Sequence, residues 1–219
     1  MALIKCPECG KKISDTIKKC PNCGYTNKKR LSKKMIIILV IMSLILLIGS
    51  FLVIKISRDN HIKQQEKLIQ EYDDLIVETG AKIYLNGFLP QYYSSKIANV
   101  WYECIKATYC NDFNSKISEF MRLSKKGLAT IEEKKSEIEK NMQKLKNVPT
   151  SDYKDVYEKI AEFYNYYSKL VECATNPSGN YTNYISNYNN YISEFNSTYN
   201  QLIILKPEIK DYKETTSNQ

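Results

Sequence analysis

Residues 35–54 form a strongly apolar run without a single charged side chain. At a rise of about 1.5 Å per residue it forms a helix about 30 Å long, which matches the hydrocarbon core of a bilayer. A helix satisfies its own backbone hydrogen bonds, so lipid can surround it on every side. The sequence therefore predicts one transmembrane helix at 35–54, with a short segment before it and a long one after it.

Charge is distributed unevenly about this run. Residues 1–34 hold ten Lys or Arg and two Asp or Glu, whereas residues 55–219 hold 22 of each kind. The positive-inside rule therefore predicts a single-pass protein of the cell membrane with a cytoplasmic N-terminus and an extracytoplasmic C-terminal region. A cleaved signal peptide is the alternative. The length of the run, the 34 residues before it and the lack of a small-x-small cleavage site favour an uncleaved anchor.

The segment before the run repeats the pattern C-P-x-C-G, which contributes Cys6, Cys9, Cys20 and Cys23. Two such pairs supply the four thiolates that a closed tetrahedral zinc site needs. A redox pair or structural disulfides are the alternatives, but a cytoplasmic location disfavours stable disulfides, and no βαβ pattern surrounds the cysteines. We expect a zinc ribbon at 1–27 that holds one structural Zn²⁺, followed by a basic juxtamembrane linker at 28–34.

The string CPECGKKISDTIKKCPNCG resembles the short zinc ribbon at the N-terminus of single-pass membrane proteins of Gram-positive bacteria. The order of parts is similar to that of teicoplanin-resistance-associated membrane proteins. The resemblance is limited to about residues 1–55. It implies a membrane-tethered envelope protein and implies no activity.

The ribbon is expected to dock a protein partner. Its basic surface permits phosphate contacts, but the linker lysines are already explained as a topology signal and a contact for anionic lipid. Tyr25 is the only aromatic residue that offers a base a stacking surface there. These features disfavour nucleic acid as a partner of the ribbon.

The region at 55–210 has apolar residues at three-and-four spacing, which is typical of amphipathic helices. The fold class is predicted to be mainly α, with an antiparallel bundle of three to four helices. Gly87 and Pro90 are expected to interrupt the first helix. Later breaks are expected at 111–112 and 149–152, and also at 176–179 and Pro207. Residues 211–219 read as a flexible tail.

Tyrosines and cysteines are the conspicuous side chains of this region. Most tyrosines fall at helical spacing on the packing face, and Tyr166 and Tyr191 are the two expected on the surface, as a possible ligand surface. In an oxidising exterior, Cys173 can pair with Cys104 or Cys110, while simple buried thiols are the alternative. Cys104 and Cys110 are too far apart to pair unless the helix ends between them.

No catalytic constellation is evident, because the single histidine, His61, lies beside the membrane segment and phosphate-loop, dinucleotide and metalloprotease motifs are missing from the sequence. The sequence therefore predicts a non-enzymatic envelope protein whose helical domain binds a protein, peptide or cell-wall ligand. The alternative is a membrane-tethered regulator whose ribbon contacts nucleic acid or the transcription machinery. The lipid bilayer is the predicted partner of 35–54, and Gly49 and Ser50 offer a weak contact for a homodimer.

Overall fold

The computed structural model describes residues 3–26, 32–107 and 113–212. The chain divides into two compact units, Met1–Ile62 and Lys63–Gln219. The first contains the cysteine-rich segment and the apolar run, and the second contains the helical region.

The first unit opens with a small antiparallel hairpin of β1 (Leu3–Lys5) and β2 (Lys12–Ser14). Ile13 is buried among the cysteines, whereas Leu3 is 66% exposed. Gly10 and Gly24 follow the second cysteine of each pair with φ of 69° and 77°. These left-handed conformations suit glycine, and each N–H donates to the carbonyl of the first cysteine in its pair.

Helix α1 (Lys33–Lys106) carries the apolar run near its start. It is the one helix of the described residues that is long and apolar enough to cross a membrane, and none of its most apolar window is buried. The large apolar side chains at 35–54 are all exposed. Length and composition alone support a span here, since a signal sequence near the N-terminus would pass the same test.

The expected interruption at Gly87 and Pro90 is wrong, because α1 continues through both residues. Tertiary packing offsets the backbone hydrogen bond that the proline removes. Pro90 is buried, and a Cβ on Gly87 would overlap the Phe195 ring, so the glycine permits a close approach to the facing helix. The buried side chains on both sides of the proline belong to one continuous face of α1.

The remaining described helices are α2 (Phe113–Leu123), α3 (Lys125–Leu145), α4 (Lys154–Thr175), α5 (Tyr181–Leu205) and α6 (Glu208–Asp211). A 3-10 turn at Ser151–Tyr153 leads into α4, and the side chain of Asn180 caps α5 by accepting from the Asn183 N–H. The breaks at 149–152, 176–179 and Pro207 thus agree with the sequence pattern. The break between α2 and α3 was not expected; Ser124 there has ψ of 1°, away from helical values.

Side-chain contacts connect the helices of the second unit. Phe163 of α4 lies 4.6 Å from Phe195 of α5, measured between ring centroids. Tyr188 of α5 donates to the Gln91 carbonyl of α1, and a Cβ on Gly127 of α3 would overlap Tyr93 of α1. The largest fully buried side chains are Ile76, Ile83 and Ile97 of α1, Ile131, Ile138 and Leu145 of α3, Ile160, Phe163, Tyr167 and Leu170 of α4, and Phe195 and Leu202 of α5.

The C-terminal end is fastened to α1. Asp73 accepts from the Tyr153 hydroxyl at 2.8 Å and pairs with Lys206. Ile209 of α6 is 3% exposed and packs against Gly80. Of the predicted tail at 211–219, residues 213–219 lie outside the described residues, and Asp211 ends α6.

Two buried tyrosines test this packing, because their replacement by phenylalanine is expected to change the free energy of unfolding differently. The Tyr72 hydroxyl donates to the Leu145 carbonyl at 2.8 Å, whereas the Tyr167 hydroxyl, in a side chain with no exposed surface, has no hydrogen-bond partner among the described residues. We expect Tyr72→Phe to lower the free energy of unfolding by about 1 kcal/mol, because it orphans a buried carbonyl. Tyr167→Phe should leave it unchanged or raise it by about 1 kcal/mol, because it removes an unpaired polar group.

The measurement is urea unfolding of the full chain in detergent, followed by circular dichroism. Equal losses in both variants would contradict the assigned packing of Tyr167.

Candidate functional site

The four cysteines of the N-terminal unit converge on one point. The sulfur atoms of Cys6 and Cys23 are 3.6 Å apart, those of Cys9 and Cys20 are 3.8 Å apart, and all four lie within 4.8 Å of one another. A tetrahedral zinc with Zn–S bonds of about 2.3 Å requires sulfur–sulfur edges of about 3.8 Å. The donor set and its spacing therefore fit one zinc ion.

Local backbone geometry holds these sulfurs in place. The N–H of Cys6 donates to the Lys11 carbonyl, and the N–H of Cys20 donates to the Tyr25 carbonyl. Cys6 and Cys20 are buried, whereas Cys23 is exposed. Four protein ligands fill a tetrahedral zinc and leave it no open position, so the site is structural and not catalytic.

Electrostatics around the cluster favour a thiolate at Cys20. Hydrogen bonding from the Asn22 backbone lowers the pKa of Cys20 to about 7. The Tyr25 backbone acts to lower the pKa of Cys23, but desolvation and the neighbouring thiols prevail and raise it to about 12. Thiols packed this closely resist joint deprotonation, and a bound cation relieves that repulsion.

A pocket of about 160 Å³ lies between α4 and α5 in the second unit. Helix α4 contributes Lys169, Glu172 and Cys173 to its lining, and α5 contributes Tyr184, Asn187 and Tyr191. Asn176 and Ser178, in the connection between the two helices, close one end. The lining is therefore mostly polar and comes from both helices and their connecting segment.

Tyr184 forms the fixed wall of this pocket. Its side chain is 4% exposed, and its hydroxyl donates to the Cys173 carbonyl at 2.9 Å and approaches the Ser94 carbonyl at 3.3 Å. Burial raises the pKa of Tyr184 above its usual range, so the hydroxyl stays protonated and keeps donating at physiological pH.

Tyr166 and Tyr191, the tyrosines singled out from the sequence, are brought together around one cation. The ammonium of Lys169 lies 5.0 Å from the Tyr166 ring centroid and 5.3 Å from that of Tyr191. Both rings are half-buried, and Tyr191 also lines the pocket. Their role as a ligand surface stays a prediction.

The cysteines of the second unit differ from the expected pairing. Cys104 is disulfide-bonded, and Cys173 is a free thiol, so Cys173 does not pair with Cys104 in the structure. The physical reason is that Cys104 is already engaged and Cys173 packs beside Trp101 and Tyr184. Helix α1 ends at Lys106, between Cys104 and Cys110, and Cys110 lies outside the described residues.

Burial slows the reactions of the free Cys173 thiol. Desolvation, with a smaller contribution from the Glu172 carboxylate, raises the pKa of Cys173 to about 11. A thiol with such a pKa is almost wholly protonated near pH 7 and reacts slowly with oxidants and alkylating agents. His61 lies exposed in α1 and lines neither the pocket nor the cysteine cluster.

The sequence reading missed Lys169, Glu172 and Asn187 as neighbours in one pocket. Lys169 and Glu172 are three residues apart on α4, but their meeting with Asn187 of α5 depends on how the two helices pack across the connection at 176–180.

Comparison with known proteins bears on the ribbon. Residues 5–26 match the zinc-ribbon domain family. A 30-residue stretch is 53% identical to an uncharacterized protein of Haemophilus influenzae, covering 14% of this chain and 40% of that relative. No solved structure matches the chain. These likenesses agree with the zinc-ribbon part of the sequence reading and with a site for one zinc ion.

Metal analysis tests the site directly. We expect the purified full chain to hold one zinc per chain, measured by inductively coupled plasma mass spectrometry. Cys20→Ser should reduce that content to near zero, because three thiolates and a hydroxyl bind zinc far more weakly than four thiolates. Cys173→Ser is the matched control and should keep one zinc. Retention of stoichiometric zinc by Cys20→Ser would contradict the assigned ligand set.

Proposed function

We propose that this protein is a single-pass membrane protein of the cell envelope with no enzymatic activity. In this proposal the zinc ribbon is cytoplasmic and docks a protein, and the helical bundle is extracytoplasmic and binds a protein, peptide or cell-wall ligand. The observation that carries the proposal is the exposed apolar run of α1. It follows the small basic zinc ribbon within the first unit and precedes a helical unit with a core of its own.

Exposure of the run supports a lipid environment. Leu46 and Leu47 are 70% and 67% exposed, and their neighbours are similar. Soluble proteins rarely present so large a contiguous apolar surface to water. A bilayer covers such a surface on all sides, and the basic residues before it fit a cytoplasmic flank.

Cysteine chemistry supports two compartments. The disulfide at Cys104 fits an oxidising exterior, and the free thiols of the ribbon fit a reducing cytoplasm where they bind zinc.

The exposed Leu3 and Ile4 on β1 give the ribbon an apolar strand to which a protein partner can dock. The pocket between α4 and α5 offers the bundle a ligand site.

Charge placed in the apolar run tests the anchor. We expect the double substitution Leu46→Lys with Leu47→Lys to move the protein from the carbonate-resistant membrane pellet to the soluble or degraded fraction. Each lysine near the middle of a span costs about 3 kcal/mol of insertion free energy.

The double substitution Ile204→Lys with Leu205→Lys is the matched control. These two apolar residues are also exposed but lie at the end of α5, so the control should stay in the pellet. If both variants distribute equally between the membrane pellet and the soluble fraction, the proposed membrane anchor at 35–54 is wrong.

Single cysteines placed on either side of the run test the orientation. In a Cys173→Ser background we expect a membrane-impermeant maleimide to label Ser136→Cys in intact cells and to label Ser32→Cys only after the membrane is opened. Both positions are exposed, and Ser32 and Ser136 fall before and after the apolar run. The reverse pattern would place the helical region inside and redirect the search to cytoplasmic partners, including nucleic acid and the transcription machinery.

A further inference from the structure

The pocket between α4 and α5 contains two opposite charges that do not neutralise each other. Lys169 and Glu172 are three residues apart on α4, so both side chains project from one face of that helix. Neither residue belongs to any of the six ion pairs formed among the described residues. The pocket therefore presents a cation and an anion that are both available to a ligand.

The cation is held in place without being neutralised. The rings of Tyr166 and Tyr191 attract the Lys169 ammonium through their faces, which orders the side chain while leaving its N–H donors free for an anion. Among the other lysines near aromatic rings, Lys96 and Lys106 each contact one ring in the described residues. Among these lysines of the described residues, Lys169 thus contacts two rings, and it also lines a pocket.

The pocket is open to solvent and has room for a small ligand. A cavity of about 150 Å³ accommodates a benzene-sized molecule, so 160 Å³ has room for about six non-hydrogen atoms. Asn176, Ser178 and Asn187 line it with amide and hydroxyl groups, which favour a polar molecule over a hydrocarbon.

We propose that this pocket binds a small zwitterion, an α-amino acid of about the size of alanine. Its carboxylate contacts the Lys169 ammonium and its own ammonium contacts the Glu172 carboxylate. Both contacts are charge-assisted hydrogen bonds, and one compact molecule satisfies the two charges together. The inference names the ligand class of the proposed extracytoplasmic domain and rests on that proposal.

Cys173 gives a built-in reporter of occupancy, because the thiol lines the same pocket. The experiment measures its alkylation by iodoacetamide at pH 8.5 in the full, zinc-loaded chain in detergent, with peptide mass spectrometry separating it from the ribbon cysteines. The probes are alanine, propionate and ethylamine. Alanine carries both charges, propionate carries the negative charge alone, and ethylamine carries the positive charge alone. Isothermal titration calorimetry with the same three compounds gives a reading that does not depend on the thiol.

We expect alanine to slow the alkylation in a saturable manner. Its half-protective concentration should be at least about tenfold lower than that of either singly charged probe, since each loses one charge-assisted contact. Lys169→Met and Glu172→Gln should each raise the value for alanine by about tenfold, and Lys169→Arg should restore most of it. Lys140→Met and Glu133→Gln, at exposed positions of α3 outside the pocket, are the matched controls and should bind like the wild type.

Equal protection by all three probes, or no heat and no protection with alanine, would overturn the proposal. Circular dichroism of each variant separates loss of binding from loss of folding. Alanine binding by a chain whose Ser136→Cys is labelled only in opened cells would keep the pocket and overturn the envelope proposal. No alanine binding by a chain with an exterior Ser136→Cys would overturn the ligand class alone.

Discussion

The division of apolar side chains along helix α1 is the constraint on which the rest of the structure depends. At 35–54 its large apolar residues are exposed on every side, whereas from Tyr72 to Trp101 the helix buries one face and leaves other apolar residues, such as Leu85 and Phe88, exposed. One stretch requires a surrounding apolar solvent, and the other requires partner helices. The other helices of the second unit cover that later face, and the core residues come from α1, α3, α4, α5 and α6.

Helix α5 secures α1 where α1 is weakest. Pro90 removes a backbone hydrogen bond from the helix, which costs about 3 kcal/mol in an isolated helix. Just beyond that proline, the Tyr188 hydroxyl donates to the Gln91 carbonyl of α1. The Tyr184 hydroxyl approaches the Ser94 carbonyl of the same helix. Gly87, one turn before the proline, lets Phe195 approach closely. These contacts explain why much of the tyrosine-rich face of α5 is core.

Features encoded by local spacing could be predicted, and features that depend on tertiary contacts could not. The two C-x2-C pairs identify the zinc ligands, because four sulfurs and two positive-φ glycines suffice to shape the site. The same reasoning failed at Pro90, where packing outweighs a local preference. At Cys173 it left two alternatives open, a disulfide or a buried thiol, because the burial of Cys173 beside Tyr184 and its separation from the disulfide at Cys104 follow from helix alignment. The sequence pattern places Tyr166 and Tyr191 off the packing face, but only the three-dimensional structure shows that Lys169 lies near both rings.

The rigidity of Tyr184 decides what kind of binding the pocket between α4 and α5 can support. Any ligand that displaced this side chain would break its bond to the Cys173 carbonyl and its contact with the Ser94 carbonyl of α1. It would also expose a buried ring, so the displaced state is disfavoured and the wall stays in place. A preformed wall favours ligands that fit the existing space, because neither side then loses free energy to rearrangement. Tyr184 is at the same time the residue through which a change at the pocket would reach α1, since it contacts both the pocket-lining helix and the long helix that carries the apolar run. A ligand that leaves Tyr184 in place therefore binds without disturbing α1, and one that moves it spends binding energy to do so.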